Sequence, residues 1–422
     1  MCLEMTRRGK PSKSPSPGQW GNLATAGFRA AVSFWNRRLP LAPGFSRVFW
    51  AAAIENCLNS FSLGGDAFTR LKPGANKRCP NLTCATGLVA LLLALFTMLG
   101  CRTSPSANLQ RFEFEQPQMG LPFRIVLYAE SQTFADTAAR AAFARVAELN
   151  QIFSDYEEDS ELSKLSRSSG SGRVVSVSDE LWRLLAVAEA TSRRSEGAFD
   201  ITVGPLVQVW RRARRQRELP TPEVIAEAKA RVGWQKVVLD PHARTAQLLV
   251  PGMRLDLGSI AKGRALDEAL RELRSHGITR ALVTGGGDMA IGDPPPGRAG
   301  WRIELAPLDA PGAPPTRFLS LSNCGFATSG DLFQHVELGG KRYSHIVNPH
   351  TGIGLTDHSL VVVIAPDCLT ANSLSTTTCV VGPTRGLALV KATPGAAARI
   401  VRQPGELVEV SESPAFARFY DK

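Results

Sequence analysis

The spacing of hydrophobic residues changes several times along the chain, and each change predicts a strand or a helix. Residues 123–128 alternate between apolar and polar side chains as a half-buried strand does, and residues 143–153 then carry apolar side chains at helical spacing. Two more helices are predicted over 178–194 and 221–233. Each begins with a Ser or Thr that can act as N-cap, and a glycine ends the second.

A further change of period occurs in the middle of the chain. Residues 253–257 alternate and predict a strand, Gly258 allows a sharp turn, and residues 260–277 follow a helical pattern. The peptide N–H groups of Ser259 to Lys262 would then lie at a helix N-terminus beside a lysine, a position that favours an anion such as a phosphate. An ordinary strand-to-helix turn with a solvated lysine has the same pattern, so this stretch alone leaves both interpretations open.

The remainder of the chain is dominated by short strands. They are predicted over 281–284, 301–305, 317–321, 341–347 and 360–364, and a last helix over about 370–381. Because short turns such as 338–341 join several strands, we expect an α+β fold with mixed or antiparallel sheets and packed helices, rather than a doubly wound parallel sheet. We expect one unit over 110–420.

The charge of the chain is concentrated near its start. The net charge is +11, but residues 1–80 hold 12 Lys and Arg against three acidic residues, so the other 342 residues are close to neutral, at about +2. A nearly neutral body argues against nucleic-acid binding. The arginine run over 211–217 is predicted to be a solvated helix face, with a membrane-surface or phosphate patch as the alternative.

The N-terminal hundred residues have the pattern of an exported protein with an extension. Residues 1–76 are rich in Pro, Gly, Ser and Arg without periodicity, which predicts disorder or a start codon placed too early. Residues 77–101 form a signal segment: a basic pair, an apolar run over 85–99, and Gly before Cys101. The run is short for a transmembrane helix. We expect either a lipid anchor on Cys101 or a simple signal anchor.

Several segments of the body could carry chemistry. Residues 195–206 form a predicted loop with an aromatic residue at its centre, and 284–292 form a glycine turn between two strands, either a plain hairpin or a backbone wall against a ligand. His345 lies at a strand edge before a Pro turn, where histidine is commonly structural. Asn372 and Thr376 are four residues apart, so on a helix they share a face and offer hard oxygens, although helix-start polar residues have the same spacing.

The order of these segments is more specific than any one of them. They read Gly-Ala-Phe-Asp-x-Thr-Val-Gly-Pro-Leu, Asp-Leu-Gly-x-Ile-Ala-Lys-Gly, Gly-Gly-Gly-Asp, Ala-Thr-Ser-Gly-Asp, Tyr-Ser-His-Ile-x-x-Pro-x-Thr-Gly and Ala-Asn-Ser-Leu-Ser-Thr. Over about 119–382 this series resembles the FAD:protein FMN transferases, the ApbE family. The resemblance implies the ApbE-like flavin transferase fold.

The resemblance also implies a site for FAD and Mg²⁺. Matching positions place Met119, Tyr156, Ala198, Phe199, Asp200, Asp256, Lys262, His345 and Ile346 at the FAD, and the Ser259 carbonyl with the side chains of Asn372 and Thr376 at the metal. An acceptor hydroxyl needs a base, for which His345 is the first candidate. Asp331 is either a secondary candidate base or a group that supports another residue of the site.

The implied activity is Mg²⁺-dependent transfer of FMN from FAD to a Thr or Ser hydroxyl of an acceptor protein, with release of AMP. The acceptor would belong to a membrane redox system and carry an Asp-x-x-Ser/Thr-Gly-Ala-Ser/Thr motif. The enzyme would lie in the bacterial cell envelope, on the periplasmic side of the inner membrane, held by a lipid anchor.

Two residues depart from the family pattern. Related chains usually have Asp where this chain has Asn372, and Gly where it has Ser259; the Asn keeps an oxygen ligand but lacks a charge. Two alternatives therefore stay open: an FAD pyrophosphatase that yields FMN and AMP, and a flavin-binding lipoprotein with little catalysis.

Overall fold

An eight-stranded antiparallel sheet lies at the centre of the computed structural model, which describes residues 108–305, 308, 317–332 and 334–421. The predictions for residues 1–76 and 77–101 lie outside the described residues. No helix in the described part of the chain is long and apolar enough to cross a membrane.

The structure describes fifteen strands, and several of them pair with the next strand along the chain as hairpins. In chain order they are β1 (Gln110–Gln118), β2 (Leu121–Ala129), β3 (Val175–Ser176), β4 (Val237–Asp240), β5 (Thr245–Leu248), β6 (Ala281–Gly285), β7 (Asp288–Ile291), β8 (Trp301–Leu305), β9 (Arg317–Leu321), β10 (Cys324–Gly330), β11 (His335–Leu338), β12 (Lys341–Ser344), β13 (His358–Ala365), β14 (Ala397–Gln403) and β15 (Glu409–Glu412). The large sheet has the order β1-β2-β6-β7-β10-β13-β14-β15, and β3-β5-β4, β8-β9 and β11-β12 form three small sheets.

The described residues also form seven α-helices, most of them with a side-chain N-cap. They are α1 (Gln132–Phe153), α2 (Glu161–Arg167), α3 (Asp179–Arg194), α4 (Gly204–Gln216), α5 (Pro222–Ala230), α6 (Ala261–Ser275) and α7 (Cys368–Lys391). The predicted caps are present: Ser178 accepts a hydrogen bond from the N–H of Leu181, and Thr221 accepts one from Val224. The predicted α+β class is confirmed.

The large sheet is buried on both faces. On β13 the side chains of Leu360, Val362 and Ile364 pack with the β8–β9 hairpin, whereas those of Val361 and Val363 pack against α7. This alternation follows from the period of two along a strand. Helices α1 and α6 cover the first strands of the same sheet.

Helices α6 and α7 cross in close contact on this covered face. A Cβ added to Gly263 of α6 would lie 2.6 Å from the carbonyl oxygen of Cys368, at the start of α7. Only glycine allows the two backbones to approach so closely. The contact brings the first turns of the two helices together, and these turns carry the predicted anion and metal residues.

Two predicted elements were wrong in detail. Residues 253–257 form no strand, and the N–H of Asp256 donates instead to the carbonyl of Ile201 at 2.8 Å. The second half of the predicted 195–206 loop is helical. The last helix ends where it was predicted to end, because Gly382 has a non-helical backbone (φ 78°) that interrupts α7 after residue 381, and a second helical segment follows this kink.

Candidate functional site

A cavity of about 890 Å³ opens where the first turns of α6 and α7 meet the loops of the chain. Its volume lies in the upper part of the range for small-molecule sites. The residues placed at the FAD and at the metal by resemblance all line it: Met119, Tyr156, Ala198, Phe199, Asp200, Asp256, Ser259, Lys262, His345, Ile346, Asn372 and Thr376. Asp331, the second candidate base, is not among its lining residues.

The N-terminus of α6 forms one wall of this cavity. Ile260 precedes the helix without a side-chain cap, and Ser259, Ala261 and Lys262 line the cavity. The N–H groups of Ile260 and Ala261 both bond the Leu257 carbonyl, at 2.9 and 2.8 Å. The helix N-terminus nevertheless carries a partial positive charge, and the lysine adds a full one. This wall can therefore hold a phosphate group.

Lys262 is anchored by a buried carboxylate. Its Nζ lies 2.7 Å from Oδ2 of Asp288, a side chain with no exposed surface. The other oxygen of Asp288 accepts a hydrogen bond from the N–H of Thr328 at 3.0 Å. Burial raises the pKa of Asp288, while the charge and hydrogen bond of Lys262 lower it. The glycine turn over 284–292 is a hairpin that carries this carboxylate, and Gly286 of the same turn lines the cavity, so the two interpretations of this stretch are compatible.

A second charged cluster at the cavity lies around Arg211 of α4. Its guanidinium donates to Asp155 at 2.7 Å and to Asp256 at 3.2 Å, and it lies 4.3 Å from the ring centroid of Tyr156. Burial raises the pKa of Asp256, the neighbouring Asp155 raises it further, and Arg211 opposes both. The prediction of a solvated face was wrong for Arg211, although Arg212 and Arg214 to Arg217 are exposed.

The Asp200 carboxylate orders the loop before α4. One oxygen accepts hydrogen bonds from the N–H and hydroxyl of Thr202, and the other accepts one from the N–H of Trp234 at 2.9 Å. Burial raises the pKa of Asp200, and these bonds lower it. The loop thereby holds the buried Phe199 against the cavity.

His345 follows β12 and is exposed to the cavity. Its Nδ1 lies 3.0 Å from the carbonyl oxygen of Gln334. Because a carbonyl only accepts, Nδ1 carries the proton of this bond, and Nε2 of the neutral ring is left as an acceptor. Desolvation by the surrounding protein lowers the pKa of His345, although the Gln334 carbonyl raises it. The neutral form, which can act as a base, is favoured.

Asp331 is placed for a structural role. Its side chain is 2% exposed, and its Oδ1 accepts from the N–H of Ser359 at 2.9 Å and lies 2.8 Å from Nδ1 of His358. The other oxygen forms an ion pair with Arg342. Both oxygens are engaged and the side chain does not line the cavity, which favours the alternative that Asp331 supports other residues of the site, while its role as a secondary base stays a prediction.

The residues implied for Mg²⁺ offer a set of neutral hard oxygens. Asn372 and Thr376 lie one helical turn apart on α7, and Ser259 lies beside them at the start of α6. The Thr376 hydroxyl lies 3.3 Å from the hydroxyl of Ser329. Carbonyl, amide and hydroxyl oxygens suit Mg²⁺, which also takes water and substrate phosphate as ligands. Within the described residues no three His, Cys, Asp or Glu side chains cluster as a metal site.

Sequence reasoning missed part of this cavity. One face of α4 lines it, through Val203, Val207, Trp210, Arg211 and Arg214. These residues are spaced as one face of a helix is. The same spacing would have assigned Arg211 and Arg214 to the cavity side and the other arginines of the run to other faces of the helix. Asp288 was named only as the end of a glycine turn, and burial of its carboxylate leaves no mark in the sequence.

Comparison with known proteins gives matches over the same region. The model of the ApbE family matches residues 119–400. The FAD:protein FMN transferases of Haemophilus influenzae and Escherichia coli K12 are each 30% identical to this chain, and each alignment covers 78% of this chain and 96% of the relative. The solved ApbE protein of Thermotoga maritima has a TM-score of 0.66 at 29% identity and covers 74% of this chain and 100% of its own. The apo form of the flavinyl transferase ApbE of Pseudomonas stutzeri has a TM-score of 0.65 at 29% identity, with 74% and 97% covered.

Proposed function

Because this chain belongs to the ApbE family and is a transferase, we propose that it moves FMN from FAD to a Thr or Ser hydroxyl of an acceptor protein, with Mg²⁺, and releases AMP. The observation that carries the proposal is the gathering of a helix N-terminus, a lysine, a neutral histidine and hard oxygen donors around one cavity. In pyrophosphate cleavage the helix N-terminus and the lysine would compensate negative charge, the histidine would act as the base, and the oxygen donors would bind Mg²⁺.

The pyrophosphate of FAD would lie at the start of α6. There the N–H groups near Ser259 and the ammonium of Lys262 compensate its negative charge. Asp288 keeps the ammonium in place through their 2.7 Å ion pair. Phosphoryl transfer depends mainly on such positioning and charge neutralisation.

His345 would activate the acceptor. Nε2 of the neutral ring takes the proton of the hydroxyl as its oxygen forms a bond to the FMN phosphorus. The bond from that phosphorus to the bridging oxygen breaks, and the oxygen leaves with AMP. The hydrogen bond from Nδ1 to Gln334 fixes the ring and its tautomer throughout.

Mg²⁺ would be held by the Ser259 carbonyl, the Asn372 amide oxygen and the Thr376 hydroxyl. When bound, the ion supplies Lewis-acid stabilisation of charge on the phosphate oxygens. The chain itself contributes the rigid placement of these donors, since the close crossing at Gly263 fixes α6 against α7.

The acceptor and the cellular location form part of the same proposal. The acceptor is a membrane redox protein with the Ser/Thr motif described above. The enzyme lies on the periplasmic side of the inner membrane, held through lipid on Cys101 or a signal anchor. The basic pair and apolar run of residues 77–101 support this location.

The test is to incubate the full-length protein with FAD, Mg²⁺ and a peptide that carries the acceptor motif. We expect the peptide to gain the mass of FMN with one AMP released for each peptide, and His345→Gln to slow both about a hundredfold. His242→Gln, in the exposed β4–β5 turn, is the control and should react as the wild type does. AMP without labelled peptide would identify a pyrophosphatase, and FAD binding without AMP would identify a flavin-binding protein.

A further inference from the structure

The carboxylate of Asp288 contacts the proposed metal ligand as well as Lys262. Its Oδ2 lies 3.1 Å from Nδ2 of Asn372, in addition to the 2.7 Å contact with Nζ of Lys262. The side chain is completely buried and does not line the cavity itself. Asp288 is therefore in direct contact with two residues of the site while remaining out of reach of the substrate.

This contact determines which end of the Asn372 amide faces the cavity. A carboxylate only accepts hydrogen bonds, so the amide must turn its NH₂ group toward Asp288. Its Oδ1 is then on the other side, where it accepts one long hydrogen bond, 3.4 Å, from the N–H of Gly263. A carbonyl oxygen has two lone pairs, and this weak bond leaves Oδ1 able to bind a cation. The opposite orientation would present an NH₂ group, which cannot be a ligand.

The Asp288 carboxylate is itself held firmly in place. It is completely buried, and its other oxygen accepts a hydrogen bond from the N–H of Thr328 at 3.0 Å. Because its negative charge is paired with Lys262 at 2.7 Å, Asp288 acts on the neutral donor set through the orientation of the Asn372 amide rather than through an added charge.

Building on the proposed function, we infer that Asp288 is a positioning residue for the metal site: it orients the Asn372 amide so that Oδ1 is the ligand. The acid and the amide then work as a pair, and the pair should function with its two members exchanged. An Asn at 288 can donate to an Asp at 372 through the same 3.1 Å contact with its polarity reversed.

The experiment measures metal affinity directly, without turnover. Mn²⁺ replaces Mg²⁺, and the free ion is followed by its electron paramagnetic resonance signal as it is titrated into the full-length protein with and without FAD. Four proteins are compared: wild type, Asp288→Asn, the double variant Asp288→Asn with Asn372→Asp, and Asp267→Asn. Asp267 is the matched control, because it is a half-buried carboxylate bonded at the start of α7, to the N–H groups of Cys368 and Leu369, at 2.9 Å each.

We expect Asp288→Asn to weaken Mn²⁺ binding about tenfold, the typical cost of losing a residue that orients a metal ligand. The double variant should return to within about threefold of the wild type, and Asp267→Asn should stay within about twofold. The affinities compared are those measured without FAD, because Asp288 also pairs with Lys262 and its loss weakens FAD binding by that separate route.

The inference is overturned if Asp288→Asn binds Mn²⁺ as the wild type does, or if the double variant is as weak as the single one. Should Asp288→Asn fail to fold, the double variant decides alone, since near-wild-type affinity supports the inference and a tenfold loss refutes it. These results are independent of transfer activity. Absence of FMN on the peptide would refute the proposed function and leave the affinity pattern as it is.

Discussion

The guanidinium of Arg211 lies 4.3 Å from the ring centroid of Tyr156 and at the same time bonds Asp155 and Asp256. One cation thus joins the loop after α1, helix α4 and the segment before α6. We expect Arg211→Ala to lower the free energy of unfolding by about 2 kcal/mol, because two largely buried carboxylates lose their partner. FAD affinity should fall with it, as both Tyr156 and Asp256 line the cavity.

Urea unfolding and flavin fluorescence titration would measure the two effects of Arg211→Ala. The control is Arg212→Ala on the same helix, whose exposed guanidinium bonds only Gln216. That variant should stay within about 0.5 kcal/mol of the wild type. If both variants lost the same free energy of unfolding, the loss would come from truncating an arginine of α4 and not from breaking the contacts of Arg211 with the two aspartates.

The lowered pKa of His345 predicts the pH dependence of transfer. The base must be neutral, so the rate should rise with pH through the pKa of His345, with a midpoint below the ordinary 6.5, and then level off. His345→Gln should lower the rate about a hundredfold and remove this dependence. The measurement is the rate of FMN attachment between about pH 5 and pH 8. If the rate of His345→Gln rose with pH as that of the wild type does, His345 would be excluded as the base.

The ion pair between Lys262 and Asp288 predicts a destabilisation that depends on pH. In Lys262→Met the buried carboxylate loses its cation, so its folded-state pKa, already raised by burial, rises further above the unfolded value. The folded protein then binds a proton more tightly than the unfolded chain, and stability falls as pH rises through that pKa. We expect a loss of about 3 kcal/mol at pH 8 and a smaller one at pH 5.

Urea unfolding of Lys262→Met at the two pH values would measure this loss. Lys236→Met provides the comparison, because the ammonium of Lys236 bonds the carbonyls of Ala230 and Val232 and no carboxylate. Its cost should be the same at both pH values. A pH-independent loss in Lys262→Met would mean that Asp288 is not the group left unpaired.

The hairpin turn before Asp288 predicts a difference between two glycines with the same backbone strain. Gly287 has φ of 90°, and an added Cβ would lie 2.8 Å from the hydroxyl of Thr328; Gly340, in the β11–β12 turn, has φ of 71° and open space around it. Gly340→Ala should cost about 1 kcal/mol from strain alone. Gly287→Ala should cost at least 1 kcal/mol more and weaken transfer. Thermal unfolding and the transfer assay would compare them, and equal costs would show that the contact with Thr328 relaxes freely.

The elements that depend on local periodicity were predictable from the sequence. Helix α6 and the cap at Ser178 follow from spacing and from one hydroxyl, and both are present. The segment 253–257 alternates like a strand. Its backbone N–H groups nevertheless donate to the Ser166 hydroxyl and to carbonyls such as that of Ile201, and not to a neighbouring strand. Periodicity reports burial of alternate side chains, and it does not report the partner of the backbone.

The site residues were predictable only where a motif names them. Asp331 sits in its motif next to Gly330, yet its carboxylate turns to Arg342 and away from the cavity. Arg211 has no motif, and its role arises from two aspartates that lie 45 and 56 residues away in sequence. Such pairings depend on the folded arrangement, and no short stretch of sequence encodes them.

The walls of the cavity come from segments between Met119 and Val380, almost the full length of the catalytic unit. A ligand that needs all of these segments binds only the completed fold, so FAD stabilises the native state by mass action. Because a transition state that lacks part of these walls gains nothing from the ligand, FAD slows unfolding and leaves the rate of folding unchanged. Bound FAD therefore lengthens the time for which the enzyme stays folded.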